Sequence, residues 1–141
     1  MSDAKFYRCK HCGNLVAVIE DDGPVPVCCG EPMQLLVAGE VDAAVEKHVP
    51  VVTIDGDRAK VSVGEVAHPM TDAHYIQWVA VANGDKLIVK YLHPGDAPEV
   101  GFCAHAVEGA TVYAYCNLHG LWKTQASVSY THLTLPTRIE V

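Results

Sequence analysis

Beyond residue 48 the chain alternates short apolar runs with turn residues. Runs rich in Val, Ile and Tyr cover 49–54, 60–63, 75–82, 86–92, 100–104 and 111–116. Between them stand Asp55-Gly56-Asp57, Asn83-Gly84-Asp85, His93-Pro94-Gly95-Asp96 and Glu108-Gly109, which offer the positive φ or proline-fixed φ that tight reversals need. Short strands at this regular spacing predict an antiparallel β-sandwich over 48–127.

Residues 5–37 read differently. They carry four of the six cysteines, with Gly13, Gly23 and Gly30, and show little apolar periodicity; a unit this small needs a staple to fold. A first domain over 1–36 follows, joined by a linker over 37–47 in which 41–46 predict a short helical turn. At the far end, 128–141 do not extend the strand pattern past a natural end near Gln125. The string Val128-Ser129-Tyr130-Thr131-His132-Leu133-Thr134-Leu135-Pro136-Thr137 resembles the translated read-through of a transposon sequencing adapter. Residues 128–141 are therefore expected to be a non-native tail, and His132 is set aside.

Charge narrows the function classes. The 141 residues carry a formal net charge of −7, and so few basic groups cannot release the counterions of a polyanion, which excludes nucleic acid and anionic membrane as partners. Met1-Ser2-Asp3-Ala4-Lys5 opens polar, no apolar run of signal-peptide length follows, and no segment approaches a membrane span; a cytoplasmic protein is expected. In a reducing compartment, thiols serve as metal ligands or catalytic groups more often than as disulfides.

Cys9-Lys10-His11-Cys12 forms a C-x-x-C knuckle, followed by the adjacent pair Cys28-Cys29. The two-residue spacer lets both sulfurs converge on one ion while backbone N–H groups point at them, and Gly13 eases the turn. Adjacent cysteines diverge, so both reach one ion only in a distorted tetrahedron. Zinc and iron both fit this spacing; a pair of disulfides is the alternative that the compartment disfavours.

In the β region, His48, His68, His74 and the pair Cys116 and His119 stand in loops or at strand ends. A single histidine is usually a solvated or hydrogen-bonded side chain. The set is different: C-x-x-H gives two ligands to one metal, and distant loops of a sandwich can meet at one end.

Taken together, Cys9-x-x-Cys12 with Cys28-Cys29, then Glu46-Lys47-His48-Val49-Pro50, His68, His74 and Cys116-Asn117-Leu118-His119-Gly120-Leu121-Trp122 resemble desulfoferrodoxin, the two-iron superoxide reductase family, over residues 5–125. The resemblance implies a mainly β protein: a small desulforedoxin-like N-terminal metal domain plus an immunoglobulin-like antiparallel β-sandwich. It implies two irons, one held by Cys9, Cys12, Cys28 and Cys29, the other ringed by His48, His68, His74 and His119 with Cys116 as axial ligand. It also implies one-electron reduction of superoxide to hydrogen peroxide, a rubredoxin-like electron donor and a homodimer paired through the first domain.

On that reading, four imidazoles and one axial thiolate leave the sixth position of the iron open to a small oxygen species, while the thiolate donates electron density from the opposite side. Lys47, beside His48, is the local cation that draws an anion to an acidic protein. Glu46 resembles the family carboxylate that takes the sixth position of the oxidised iron. Without the motif, Glu46 and Lys47 would read as a solvated charged pair.

Cys103 reads as a small buried hydrophobe, Trp78 as core, and Trp122 as core or site wall. His93 is expected exposed, His11 supporting the knuckle, and His105 has no counterpart among the family's ligands. Two other classes compete: a non-catalytic iron electron-transfer protein, in which the site is closed, and a zinc-stapled sandwich that binds a partner and has no redox role.

Overall fold

A computed structural model describes residues 3–39 and 43–126; the expected non-native tail, His132 included, lies outside the described residues. Seven strands form the sandwich. β6 (Pro50–Asp55), β7 (Arg58–Val63) and β10 (Glu99–Cys103) make one antiparallel sheet in the order β10-β7-β6. β8 (Ile76–Asn83), β9 (Lys86–Tyr91), β11 (Thr111–Cys116) and β12 (Gly120–Gln125) make the other, ordered β12-β11-β8-β9. First, second and fifth strands in one sheet, the rest in the other, is the immunoglobulin-like arrangement expected.

The six anticipated strands agree with the structure to within two residues at each end. β12 and the short helix α2 (Ala104–Val107) were not anticipated, because 120–125 mix Gly, Lys, Thr and Gln with only two large apolar residues. The β6–β7 and β8–β9 hairpins each place glycine at the first of two loop positions, Gly56 at φ +64° and Gly84 at φ +62°, the position a type II′ turn reserves for it. Alternation does the packing: Ala59, Val61 and Val63 of β7 face Val79 and Val81 of β8 and Val112 and Ala114 of β11 in one closed core.

β8 and β11 are buried on both faces, and the N-terminal unit is the reason. There β1 (Phe6–Arg8) lies between β2 (Leu15–Ala17) and β5 (Gln34–Leu35), beside the hairpin of β3 (Val27–Cys28) and β4 (Glu31–Pro32). Phe6 enters an aromatic nest on the outer face of the four-stranded sheet, 4.9 Å from the Trp78 ring and 5.2 Å from Tyr113, with Tyr115 stacked on Trp78 at 5.3 Å. Burying that one phenylalanine contributes roughly 2 kcal/mol. Backbone bonds fix the seam: the Ala4 N–H donates to the Tyr113 hydroxyl at 3.0 Å and the Gly39 N–H to the Leu121 carbonyl at 2.8 Å. Trp78 is thus core, but core of the seam between units.

Two details position the site. The helical turn expected over 41–46 appears instead as α1 (Val45–His48); residues 41 and 42 are outside the described part, and Pro50 ends the helix by driving Val49 to φ −72°, ψ 123°. In β8, the pairing with β11 steps from Tyr115↔Trp78 to Cys116↔Ile76, leaving Gln77 as the extra residue of a bulge. Strict alternation would turn Ile76 outward with Trp78 and Ala80. Past the bulge it faces the inner core with Val79 and Val81, and the chain reaches it from His74 on that inner side.

Candidate metal centres

The sulfurs of Cys9, Cys12, Cys28 and Cys29 lie within 4.8 Å of one another, and all six cysteines are free thiols. Cys12 and Cys28 sulfurs are 3.7 Å apart, the edge of a tetrahedron with metal–sulfur bonds of about 2.3 Å. The Cys12 N–H points at the Cys9 sulfur across 3.5 Å and, as the largest cause, lowers its pKa to about 6. Cys29 is pushed up to about 12 by the thiols of Cys12, Cys9 and Cys28. Four thiols that resist ionising together are what a bound cation resolves.

The adjacent pair reaches one point through its backbone. Cys28 pairs with Glu31, so Cys29 and Gly30 form the two-residue loop, at φ +53° and +76°. Both signs are positive, as in a type I′ turn, and Cys29 is the only non-glycine in that region among the described residues. His11 Nε2 is hydrogen-bonded to the Glu31 carboxylate at 2.8 Å, tying the knuckle to this hairpin.

At the end of the sandwich, four imidazoles form a near-square. Neighbouring ring centroids are 4.6 Å apart for His48 and His68, 4.7 Å for His68 and His74, 5.0 Å for His74 and His119, and 4.9 Å for His119 and His48. The diagonal from His48 to His74 is 6.3 Å. The inner nitrogens His48 Nε2, His68 Nε2 and His119 Nδ1 stand at 3.1 Å steps, against about 3.0 Å for nitrogens at right angles and 2.1 Å from one ion. The Cys116 sulfur, from the last residue of β11, is 3.9 Å from His119 Nδ1 and within 4.8 Å of the His48, His68 and His74 ligand atoms.

Hydrogen bonds decide which nitrogens face inward. His48 Nδ1 donates to the Ala44 carbonyl and His68 Nδ1 to the Pro69 carbonyl, both at 2.7 Å, so each ring keeps a lone pair at Nε2. Burial holds both rings neutral, pushing His68 down to about 4 and His48 in the same direction. Lone pairs aimed at one another across 3.1 Å repel unless a cation lies between them. His74 Nε2 is buried with no hydrogen-bond partner among the described residues. This donor set fits a metal ion.

Around the square, Trp122 is a site wall: its ring lies 5.0 Å from His48. The Leu118 and His119 N–H groups face the Cys116 sulfur and oppose the rise in pKa that burial causes. Lys47 is half-buried and near enough to lower the pKa of His48 and His74. Glu46 is exposed; its backbone carbonyl, held by the Val66 N–H at 2.9 Å, is the part the fold ties down. Gly64 permits this approach, since a Cβ there would meet the Glu46 carbonyl oxygen at 2.5 Å. That glycine carried no signal in the sequence, whereas Asn117 was visible only as a member of the motif over 116–122 and Trp122 was expected as core or site wall.

One expectation is corrected. Cys103 is exposed, because Phe102 beside it points into the core and successive side chains of β10 take opposite faces. His93 and His105 are exposed and belong to neither cluster.

The Desulfoferrodoxin family profile matches residues 40–125, and the profile of the Desulfoferrodoxin N-terminal domain matches 2–36. The chain belongs to the desulfoferrodoxin family. It is 48% identical to a desulfoferrodoxin of Nitratidesulfovibrio vulgaris over 86% of this chain and 96% of that one. The crystal structure of the superoxide reductase from Treponema pallidum matches with TM-score 0.69 and 37% identity, covering 87% of this chain and 99% of that chain. A superoxide reductase from Giardia intestinalis, described as 1Fe-SOR, matches with TM-score 0.51 and 28% identity over 59% of this chain and 99% of its own. As a desulfoferrodoxin, the chain carries two iron sites, one of four cysteines and one of histidines with a cysteine.

Proposed function

We propose that this desulfoferrodoxin is a superoxide reductase, converting superoxide, one electron and two protons into hydrogen peroxide. The observation that carries the reading is the square of His48, His68, His74 and His119 with the Cys116 sulfur beside it. Iron held by these five side chains would supply the single electron to a small oxygen anion, and the Cys116 thiolate would favour giving it.

The rest is work of the chain. Burial pushes His48, His68 and His74 towards the neutral form, so Lys47 is the cation that the chain itself provides at the rim. Its Nζ, with three donors, draws the anion in and can hand a proton to the leaving product through water. Glu46 is assigned as the carboxylate that closes the site after turnover, for which the α1 turn must bring its exposed side chain inward. Trp122 and the buried loops exclude bulk water from the other side.

The unit of 48–127 is proposed as the catalytic domain and 1–36 as an accessory iron domain, joined by 37–47. A match between the one-iron Giardia protein and 59% of this chain supports that split. Exposed Ile19, Val25, Val27 and Leu35 on the N-terminal unit support a homodimer through that domain. A rubredoxin-like donor is assigned because a reductase, unlike a dismutase, draws electrons from outside, and six free thiols suit the cytoplasm. No described helix is long and apolar enough to cross a membrane.

Pulse radiolysis of the reduced, iron-loaded protein tests the reading: superoxide should decay in a second-order reaction with the protein, with one hydrogen peroxide formed per iron oxidised. Decay no faster than in buffer would leave an electron-transfer protein; a colourless protein with stoichiometric zinc would leave neither.

A further inference from the structure

We infer that Asn117 is a positioning residue: its side-chain amide and backbone N–H lock the loop carrying His74 onto the loop carrying Cys116 and His119, and so set where the His74 ring stands. The inference rests on the reading of this cluster as an iron site and adds to it a residue that touches neither metal nor substrate.

Two of the four rings have hydrogen-bonded anchors of their own, and a third belongs to a residue whose backbone is held. His48 and His68 each spend Nδ1 on a carbonyl, and the His119 carbonyl is held by the Trp122 indole at 3.0 Å. The His74 ring has no hydrogen bond among the described residues, and its Nε2 is buried and bare. Its backbone bonds run only to Thr71, three residues back, in a turn that is otherwise exposed.

What holds this turn in the fold is Asn117. Its Oδ1 accepts from the Tyr75 N–H at 2.9 Å, its Nδ2 donates to the Ala73 carbonyl at 3.0 Å, and its own N–H donates to the Tyr75 carbonyl at 3.2 Å. The residues on either side of His74 are thus both fastened to the residue that follows Cys116. An amide is the one short side chain with a donor and an acceptor in a single plane; aspartate keeps only the acceptor and serine spans one bond. Two ligand loops more than forty residues apart become one rigid piece, the outer support that ligating groups require to hold their geometry.

The test uses the full chain, wild type, Asn117→Ala and Asn117→Asp. Amide exchange followed by NMR in the full chain with diamagnetic zinc in both sites should speed up at least tenfold at Tyr75 in N117A while Val79 and Ala114 in the core stay unchanged. Iron at the histidine–cysteine site should pass to a competing chelator about 10- to 100-fold more readily, and its thiolate-to-iron absorption band should shift, with the four-cysteine spectrum unaltered. N117D retains the Tyr75 bond and loses the Ala73 bond, so it should fall between; it gives the same decision if N117A does not fold. Tyr75 exchange or iron release equal to wild type in the variants overturns the inference. A wild type that binds no iron among the histidines overturns the proposed function instead, and the exchange rates still decide the role of Asn117.

Discussion

The Trp122 indole N–H donates to the His119 carbonyl at 3.0 Å while the same ring lies 5.0 Å from His48. One side chain therefore braces two corners of the imidazole square. Trp122→Phe keeps most of the wall and loses the bond, which predicts destabilisation of about 1 kcal/mol and a displaced absorption maximum of the histidine–cysteine site. Urea unfolding and a visible spectrum check this; a spectrum identical to wild type would remove the brace.

His74→Ala and His119→Ala should each empty or disorder the histidine–cysteine site and leave the four-cysteine spectrum intact, since the two clusters share no residue. Metal analysis with visible spectroscopy reads both at once. Loss of both signals together would mean the centres are not independent.

Acid should destabilise the metal-free protein. Burial holds His68 at about 4 and lowers His48 and His74 from 6.5, so the unfolded chain takes up protons first as pH falls. Stability is full above about 6.5 and declines towards 4, by on the order of 3 kcal/mol from His68 alone. Urea midpoints at pH 7.5 and 4.5 measure the slope, and His68→Gln should flatten it; an unchanged slope in that variant would assign the loss elsewhere.

Lys47→Ala should slow superoxide capture and weaken its dependence on ionic strength, with iron content unchanged, because the lost charge steers rather than binds. The second-order rate constant at low and high salt is the readout. Equal constants at low salt would take Lys47 out of the mechanism.

Gly64→Ala should cost about 1–3 kcal/mol, since the new methyl must push back the Glu46 carbonyl now 2.5 Å from where it would stand. The Glu46-Lys47-His48 turn moves with it, so the capture rate should fall as well. Thermal unfolding and pulse radiolysis of the variant separate the two effects; no change in either would show that the loop yields freely.

Much of this was legible in the chain, for physical reasons that differ by element. The sandwich strands announced themselves because glycine and proline mark reversals whatever the packing. The ligand residues did so because thiols and imidazoles in these spacings have few other uses. Cys103 misled, since a lone apolar cysteine in a β run gives no hint of which face it takes until Phe102 is known to point inward. The seam between the units left a signal that single-faced alternation could not explain: Val112-Tyr113-Ala114-Tyr115-Cys116 is apolar at every position, as a strand covered on both sides must be. The bulge at Gln77 was not legible, because an extra residue in one strand exists only relative to its partner.

That bulge makes spacing, and not only composition, a condition of activity. Trp78 must turn towards Phe6 while His74, four positions earlier, must turn the opposite way, and a regular pleat cannot satisfy both. Pairing Cys116 with Gln77 in place of Ile76 would straighten the strand and restore the wrong phase without altering one ligand. Homologues that vary in length are therefore expected to do so in hairpins such as the one at Gly84, and to keep this short interval fixed.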